Sequence, residues 1–179
     1  MIRRRASLRA LVALLWSLPL PAVAMPGPLQ ANLEYSVKAN YLVRFAAFVD
    51  WPSQAFAGAQ SPVVLCVAGR DPFSGALDRA ARGQTAHGRA LTVRRPDTPE
   101  EAAGCHILYV GRGGAAVVPT GPRAILLITD GGVSPDRGMI HFVIDDDRVR
   151  FHIDLQAASR GRLSISSRLL NLALSVRGG

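Results

Sequence analysis

Three uninterrupted apolar runs limit most strongly what this chain can fold into: residues 62–68, 106–110 and 124–128. Each is rich in valine, isoleucine or leucine and too short for an ordinary helix, which is the pattern of a buried strand. Strands that are apolar on both sides are typical of a sheet that helices cover on both faces. The sequence therefore predicts the α/β class, with a three-layer core in which a mixed β-sheet is flanked by helices.

Helical patterns alternate with these strands. A first helix is predicted over residues 30–50, where apolar side chains recur at spacings of three and four, and it should end at Trp51 because Pro52 follows. Asp71 offers an N-cap for a second helix over residues 73–81. We also expect a short helical stretch over residues 98–103 and further strands over residues 90–94, 105–110 and 123–129.

The last third of the chain changes character, because apolar and polar side chains alternate on both sides of an acidic turn. Residues 139–144 and 148–154 therefore predict an antiparallel hairpin with Asp146 and Asp147 as its loop and one solvated face. In this register, His141 should lie opposite His152 on the solvated face, and residues 164–176 should form an amphipathic closing helix. The core pairs expected across the hairpin are Ile140 with Ile153, Phe142 with Phe151, and Ile144 with Val149.

The amino terminus has the pattern of a secretory signal peptide: four arginines precede an apolar run over residues 10–20 and a small-x-small cleavage site ending at Ala24. The alternative is a membrane anchor, but the run falls short of the ~20 residues that span a bilayer, and it contains Pro19. We therefore predict a signal peptide over residues 1–24 and a single domain over residues 25–179, exported to the periplasm without direct membrane insertion.

The charge of the mature part argues against a nucleic-acid partner. The formal net charge of +8 includes the four arginines of the signal peptide; without them, 17 of the 21 basic residues remain against 13 acidic ones, which leaves +4. These basic residues are interleaved with acidic ones along the chain, whereas nucleic-acid binding needs clustered positive charge.

The chain contains two cysteines, Cys66 and Cys105. Export would place them in a compartment where disulfides form and persist, so we expect them to be bonded. The alternative is a pair of buried free thiols.

Several patterns resemble functional motifs without meeting their requirements. His141 and His152 could supply two metal ligands, but no third ligand is placed by the sequence, and a solvated hairpin surface explains them. The glycine-rich residues 111–114 lack the spacing of a phosphate-binding loop, and residues 145–147 lack that of a calcium loop. We therefore predict no catalytic residue, no metal and no cofactor, and expect the protein not to be an enzyme; an unrecognised hydrolase is the alternative.

The first helix is the best indication of a protein interface, because it is apolar on more than one face. Such a helix is either fully buried or shared with a partner. We identify Tyr41, Phe45 and Trp51 as the candidate partner-binding residues, since aromatic side chains are enriched at interfaces. The first apolar stripe consists of Leu33, Val37, Tyr41, Phe45 and Phe48, and the second of Leu42, Ala46 and Val49.

Six segments follow one another in the order and register of a known family. They are VKANYLVRF (residues 37–45), VDWP (49–52), LCVAGRDPF (65–73), CHILYV (105–110), VRFHID (149–154) and LSISSRLLNLA (163–173). Over nearly the whole mature part the chain thus resembles the YfiR family of periplasmic proteins.

This resemblance implies a regulatory binding protein. In the family, YfiR represses the inner-membrane diguanylate cyclase YfiN by holding its periplasmic sensor part, which keeps cyclic-di-GMP and biofilm formation low. The resemblance also implies that Cys66 and Cys105 form one of the family's disulfides, whereas the second has no counterpart here, and Asp154 stands where the family more often has Asn.

We expect two kinds of protein partner and consider one rival hypothesis. The first is the periplasmic domain of an inner-membrane diguanylate cyclase or sensor kinase, which the domain would bind and control. The second is another copy of this chain, in a homodimer. The rival hypothesis is a periplasmic small-molecule sensor acting with a histidine kinase or receptor, with its pocket near the strand ends after Ala68, Val110 and Thr129.

Overall fold

The computed structural model describes residues 27–134 and 136–178, so the predicted signal peptide lies outside the described residues. Within those ranges, none of the helices has both the length and the hydropathy needed to cross a bilayer. The helices are α1 (Pro28–Phe45), α2 (Ala76–Ala81), α3 (Pro99–Ala102), α4 (Leu155–Arg160) and α5 (Ser167–Leu170), with 3-10 turns at Ser53–Ala55 and Gly114–Val117.

An eight-stranded mixed sheet forms the centre of the domain, in the order β10-β8-β7-β6-β5-β2-β4-β3. The strands from β4 to β7 in this order run parallel, and β8 returns antiparallel to β7. A separate pair, β1 with β9, closes one side. The strands are β1 (Val49–Asp50), β2 (Val63–Ala68), β3 (Thr85–Ala86), β4 (Arg89–Arg94), β5 (Ile107–Val110), β6 (Leu126–Asp130), β7 (Ile140–Asp145), β8 (Arg148–Asp154), β9 (Ser164–Ile165) and β10 (Ser175–Arg177).

The two faces of the sheet are covered unequally. Helices α1 and α2 pack on one face and bury the larger core, which includes Phe45, Leu65 and Tyr109. On the other face, α3 and the turn at Gly114–Val117 cover a smaller cluster around the disulfide. The three-layer α/β architecture with a mixed sheet is thus confirmed, as are the terminal hairpin and a helix after it.

The hairpin has the register that the alternation predicts. Ile140 pairs with Ile153, Phe142 with Phe151, and Ile144 with Val149. The first two pairs lie in the core as expected, whereas the core placement of Ile144 is wrong, since it is 51% exposed. Asp146 and Asp147 form the two-residue loop with positive φ angles of 47° and 57°, the geometry of the tight turns that match strand twist.

The solvated face assigned to the hairpin histidines is wrong for His141, which is only 5% exposed. Its Nδ1 lies 2.8 Å from the Thr129 hydroxyl of β6, because β6 continues the sheet beside β7. On the other side, β10 adds beside β8, and Ser175 lies 2.6 Å from Nδ1 of His152. The pKa of both imidazoles is lowered mainly by burial and further by the positive charge of Arg137.

Three predicted boundaries are corrected. Helix α1 ends at Phe45 rather than near residue 50, where the chain turns into β1. The second helix begins at Ala76, because the Asp71 carboxylate accepts the Phe73 amide in a turn instead of capping a helix there. The closing helix predicted over residues 164–176 is much shorter in the structure, where only α5 is helical and the later segment forms the edge strand β10. Helix α4 was not predicted.

Candidate partner-binding surface

A groove of about 890 Å³ runs between the amino-terminal half of α1 and the β7–β8 hairpin. Its apolar lining comes from Leu33 and Val37 of α1 and from Ile144 and Val149 of the hairpin. Leu33 is 68% exposed and Ile144 is 51% exposed. We call these lining residues, with Tyr41, Arg148 and Arg150, the α1–hairpin groove.

The spacing of apolar residues explains why α1 presents this surface. In its carboxy-terminal half, Leu42 and Phe45 are buried against the sheet, so this half fixes the helix on the core. In its amino-terminal half, Leu29, Leu33 and Val37 recur every four residues and therefore lie on one face. All three are exposed, so one helix is a core element at one end and an apolar surface at the other.

The three aromatic residues predicted to bind a partner have different surroundings. Tyr41 is half-buried and lines the groove, with its ring centroid 5.5 Å from that of Phe151. Phe45 is fully buried, with a ring centroid 5.8 Å from that of Phe142, so it belongs to the core and presents no surface to a partner. Trp51 is half-buried away from the groove, where its indole N–H donates to the backbone oxygen of His106 at 3.1 Å. Partner contact by Tyr41 or Trp51 stays a prediction.

A buried charged network lies beside the groove and ties α1 to the sheet. The Lys38 ammonium donates to Asp130 Oδ2 at 2.6 Å and also to Glu34, one helical turn earlier. The Tyr109 hydroxyl donates to the same Asp130 oxygen at 3.0 Å, and the other oxygen accepts the Gly132 amide at 3.0 Å. The network therefore joins α1, β5 and the loop after β6.

The protonation states in this network follow from burial and pairing. Burial alone lowers the pKa of Lys38, but its hydrogen bonds and charge interactions with Asp130 and Glu34 outweigh burial, so that the pKa lies above its ordinary value. Burial and the Asp130 carboxylate raise the pKa of Tyr109 far above its ordinary value. Lys38 is thus an ammonium and Tyr109 a neutral donor.

Sequence reasoning missed this network, although two signals for it exist. Lys38 is the lysine of an otherwise arginine-rich chain, and it follows Glu34 at the i,i+4 spacing of a helical ion pair. Asp130 directly follows an apolar strand, so it stands at the carboxyl end of β6. Their pairing across 92 residues depends on the packing of α1 on the sheet, which no local pattern specifies.

The part of the predicted strand-end pocket that lies after Ala68 and Val110 is closed. The order of β4, β2 and β5 places the topological switch point between β2 and β5, where α/β proteins often bind ligands. Here the Arg70 amide donates to the Arg112 carbonyl at 3.0 Å, and a Cβ atom on Gly69 would lie 2.5 Å from the Gly114 nitrogen. The backbone itself fills the crevice, so a ligand at this position would have to displace it.

Cys66 of β2 and Cys105 at the start of β5 form the expected disulfide, with 5.9 Å between their Cα atoms. Within the described residues, no three histidine, cysteine or carboxylate side chains group in a way that could hold a metal ion.

Comparison with known proteins assigns the family. A search of curated proteins finds no match for this chain. The sequence profile described as YfiR/HmsC-like matches residues 35–174, a span that includes α1 from Tyr35 onward, the disulfide and the hairpin. Its members are periplasmic regulators of diguanylate cyclase signalling, and the family is regulatory rather than catalytic. Because the match covers most of the sequence, the chain belongs to the YfiR/HmsC-like family.

Proposed function

We propose that this domain binds the periplasmic sensor part of an inner-membrane diguanylate cyclase and represses it, and that the α1–hairpin groove is the contact surface. The observation that carries the proposal is the exposed apolar stripe of Leu29, Leu33 and Val37, which continues onto the hairpin at Ile144. Family membership supplies the signalling context.

The composition of the groove is that of a protein interface. Interfaces have an apolar core and a polar rim, are enriched in aromatic and arginine side chains, and owe most of their binding free energy to a few residues. Here the apolar centre is flanked by Tyr41, by the cations Arg148 and Arg150, and by the carboxylates Glu34 and Asp147. A cyclase segment with an apolar face and flanking charges of both signs would complement this surface.

The Lys38 network supports the proposal from inside the fold. It fixes α1 close to the groove residue Val37, so the surface is held in place before a partner arrives. A preorganised surface loses less conformational entropy on binding than a loose one.

Replacing Leu33 by Glu should abolish complex formation without unfolding the domain. A carboxylate at the centre of the groove would be buried unpaired against the partner, and we expect the Kd to rise at least about 30-fold. Because Leu33 is exposed in the free domain, its free energy of unfolding should change by no more than about 0.5 kcal/mol. The measurement is co-purification with a co-expressed inner-membrane diguanylate cyclase from the same organism, followed by cellular cyclic-di-GMP.

Leu172→Glu is the matched control, since Leu172 is similarly exposed at 57% but lies in the segment after α5. It should leave both complex formation and repression unchanged. The proposal fails if Leu33→Glu still co-purifies with the cyclase and still represses it. If Leu33→Glu instead converts a dimer of this chain into a monomer while cyclase binding persists, the groove joins two copies. Co-purification with a sensor kinase in place of a cyclase would overturn the proposed partner.

A further inference from the structure

The thinly covered face of the sheet contains a second cavity, of about 490 Å³. Its floor consists of Leu108 from β5, Leu127 from β6 and Ile125 just before β6. The turn at Gly114–Val117 covers the neighbouring cluster around the disulfide, but the floor beyond it has only loops and the end of α4 as walls. The volume is within the roughly 300–1,000 Å³ of sites that bury small organic ligands.

Close backbone packing shapes the walls. A Cβ atom on Gly138 would lie 2.6 Å from the Leu127 carbonyl oxygen, and one on Gly161 would lie 2.9 Å from the Met139 side chain. Both glycines are buried and line the cavity. At Gly138 the wall therefore lies directly against the backbone of the floor, and side chains, among them Met139, complete the lining.

Three arginines surround this apolar hollow: Arg123, Arg137 and Arg160. They come from the loop before β6, the loop before β7 and the last turn of α4. Within the described residues, none of the three forms a salt bridge with a carboxylate.

We propose that this cavity binds a small organic anion with an apolar body, such as a medium-chain carboxylate. The apolar floor would take the hydrocarbon part, and the guanidinium groups at the rim would hold the anionic group by charge-assisted hydrogen bonds. The site lies on the face of the sheet opposite α1, so it is separate from the α1–hairpin groove. It does not depend on the proposed cyclase partner.

The test is isothermal titration calorimetry of the mature domain with sodium decanoate below its micellar concentration. Decyltrimethylammonium is the comparison ligand, because it has the same chain length and a cationic head group. We expect one saturable site for decanoate and none for the ammonium compound. Equal binding of the two, or the absence of a saturable site for decanoate, overturns the proposal.

Two variants locate the site. Ala157→Phe should fill the cavity from α4 and abolish binding, and Arg123→Gln combined with Arg160→Gln should weaken binding roughly tenfold. Arg82→Gln is the matched control, since Arg82 is an exposed arginine after α2 on the opposite face and should leave the affinity unchanged. The arginine variants replace exposed side chains, so they provide a result even if Ala157→Phe does not fold.

The apolar α1–hairpin groove is the competing place for decanoate, and Leu33→Glu distinguishes the two sites. If Leu33→Glu loses decanoate binding while Ala157→Phe retains it, the ligand sits in the groove and the proposal is wrong. If Ala157→Phe and the double arginine variant lose it while Leu33→Glu retains it, the cavity is the site. Loss of decanoate binding with normal cyclase co-purification would separate this site from the partner-binding function.

Discussion

Lys38→Ala should lower the free energy of unfolding by about 3–5 kcal/mol, the range for breaking a buried ion pair by removing one partner. Lys38 and Asp130 are each 1% exposed, so water cannot replace the missing ammonium beside the Asp130 carboxylate. The carboxylate would keep the Tyr109 hydroxyl and the Gly132 amide, but no cation. Urea unfolding followed by circular dichroism measures the change.

The matched control replaces both charges, as Lys38→Met with Asp130→Asn. Without charge there is no unpaired ion to bury, and the asparagine side chain can still accept a hydrogen bond at this position, so this double variant should lose less stability than Lys38→Ala. Glu34→Gln should also lower the free energy of unfolding only slightly, because the Glu34 side chain is 27% exposed and Lys38 keeps its ion pair with Asp130. A loss below about 1 kcal/mol for Lys38→Ala would contradict the assigned role of the buried pair.

The pH dependence of this effect has a definite sign. The folded-state pKa of Lys38 is raised, so the unfolded chain releases the proton at a lower pH than the folded one. The stabilisation is therefore fully present below the unfolded value of about 10.4 and is lost as the pH rises through the folded value. The difference between wild type and Lys38→Ala should be the same at neutral pH and at about pH 9.

Local patterns predict those parts of the fold that single segments decide. The apolar runs around Leu65, Leu108 and Leu127 become central strands, because no other placement buries both sides of such a segment. The hairpin register was predictable to the residue, because alternation with period two and an Asp146–Asp147 turn leave one register that buries the phenylalanines.

Predictions failed where a distant element changes the outcome. The segment after α5 has a helical apolar pattern, yet Leu174 donates its amide to the Phe151 carbonyl, and Ser175 continues as an edge strand beside β8. The free edge of β8 forms only when the sheet folds, so no local pattern can show it. Pairing with that edge outweighs the helical preference of the segment after α5. The same reason explains His141, which is buried because β6 lies beside β7.

For the candidate partner-binding surface, the sequence pointed to helix α1, but of the three aromatic residues it suggested only Tyr41 lines the groove. Two apolar stripes on α1 predicted either burial or a partner, and the structure shows burial at Phe45 and exposure at Leu33. Aromatic composition alone favoured Tyr41, Phe45 and Trp51, whereas the apolar part of the groove lining is aliphatic apart from Tyr41.

Removing the disulfide, as Cys66→Ala with Cys105→Ala, should cost about 4 kcal/mol of stability. The bridge spans a sequence separation of 39 residues, and the chain-entropy model assigns this cost to closing a loop of that size. For a domain of this length the midpoint of thermal unfolding should fall by roughly 10 °C. Differential scanning calorimetry of both proteins provides the measurement, and a shift of less than about 2 °C would contradict the expectation.

The environment of the bridge also predicts how it responds to reductants. Cys66 and Cys105 are both buried, in a cluster with Leu108 and Val117, so a thiol reductant reaches them only when the domain opens. Millimolar dithiothreitol should therefore leave the folded domain oxidised and its partner binding unchanged, while the same reagent in urea should reduce it rapidly. The sequence contains no cysteine besides Cys66 and Cys105, so a redox response of thiol groups would have to act through this buried bridge. Loss of partner binding in dithiothreitol without urea would show that the bridge opens under native conditions and would make it a switch rather than a structural crosslink.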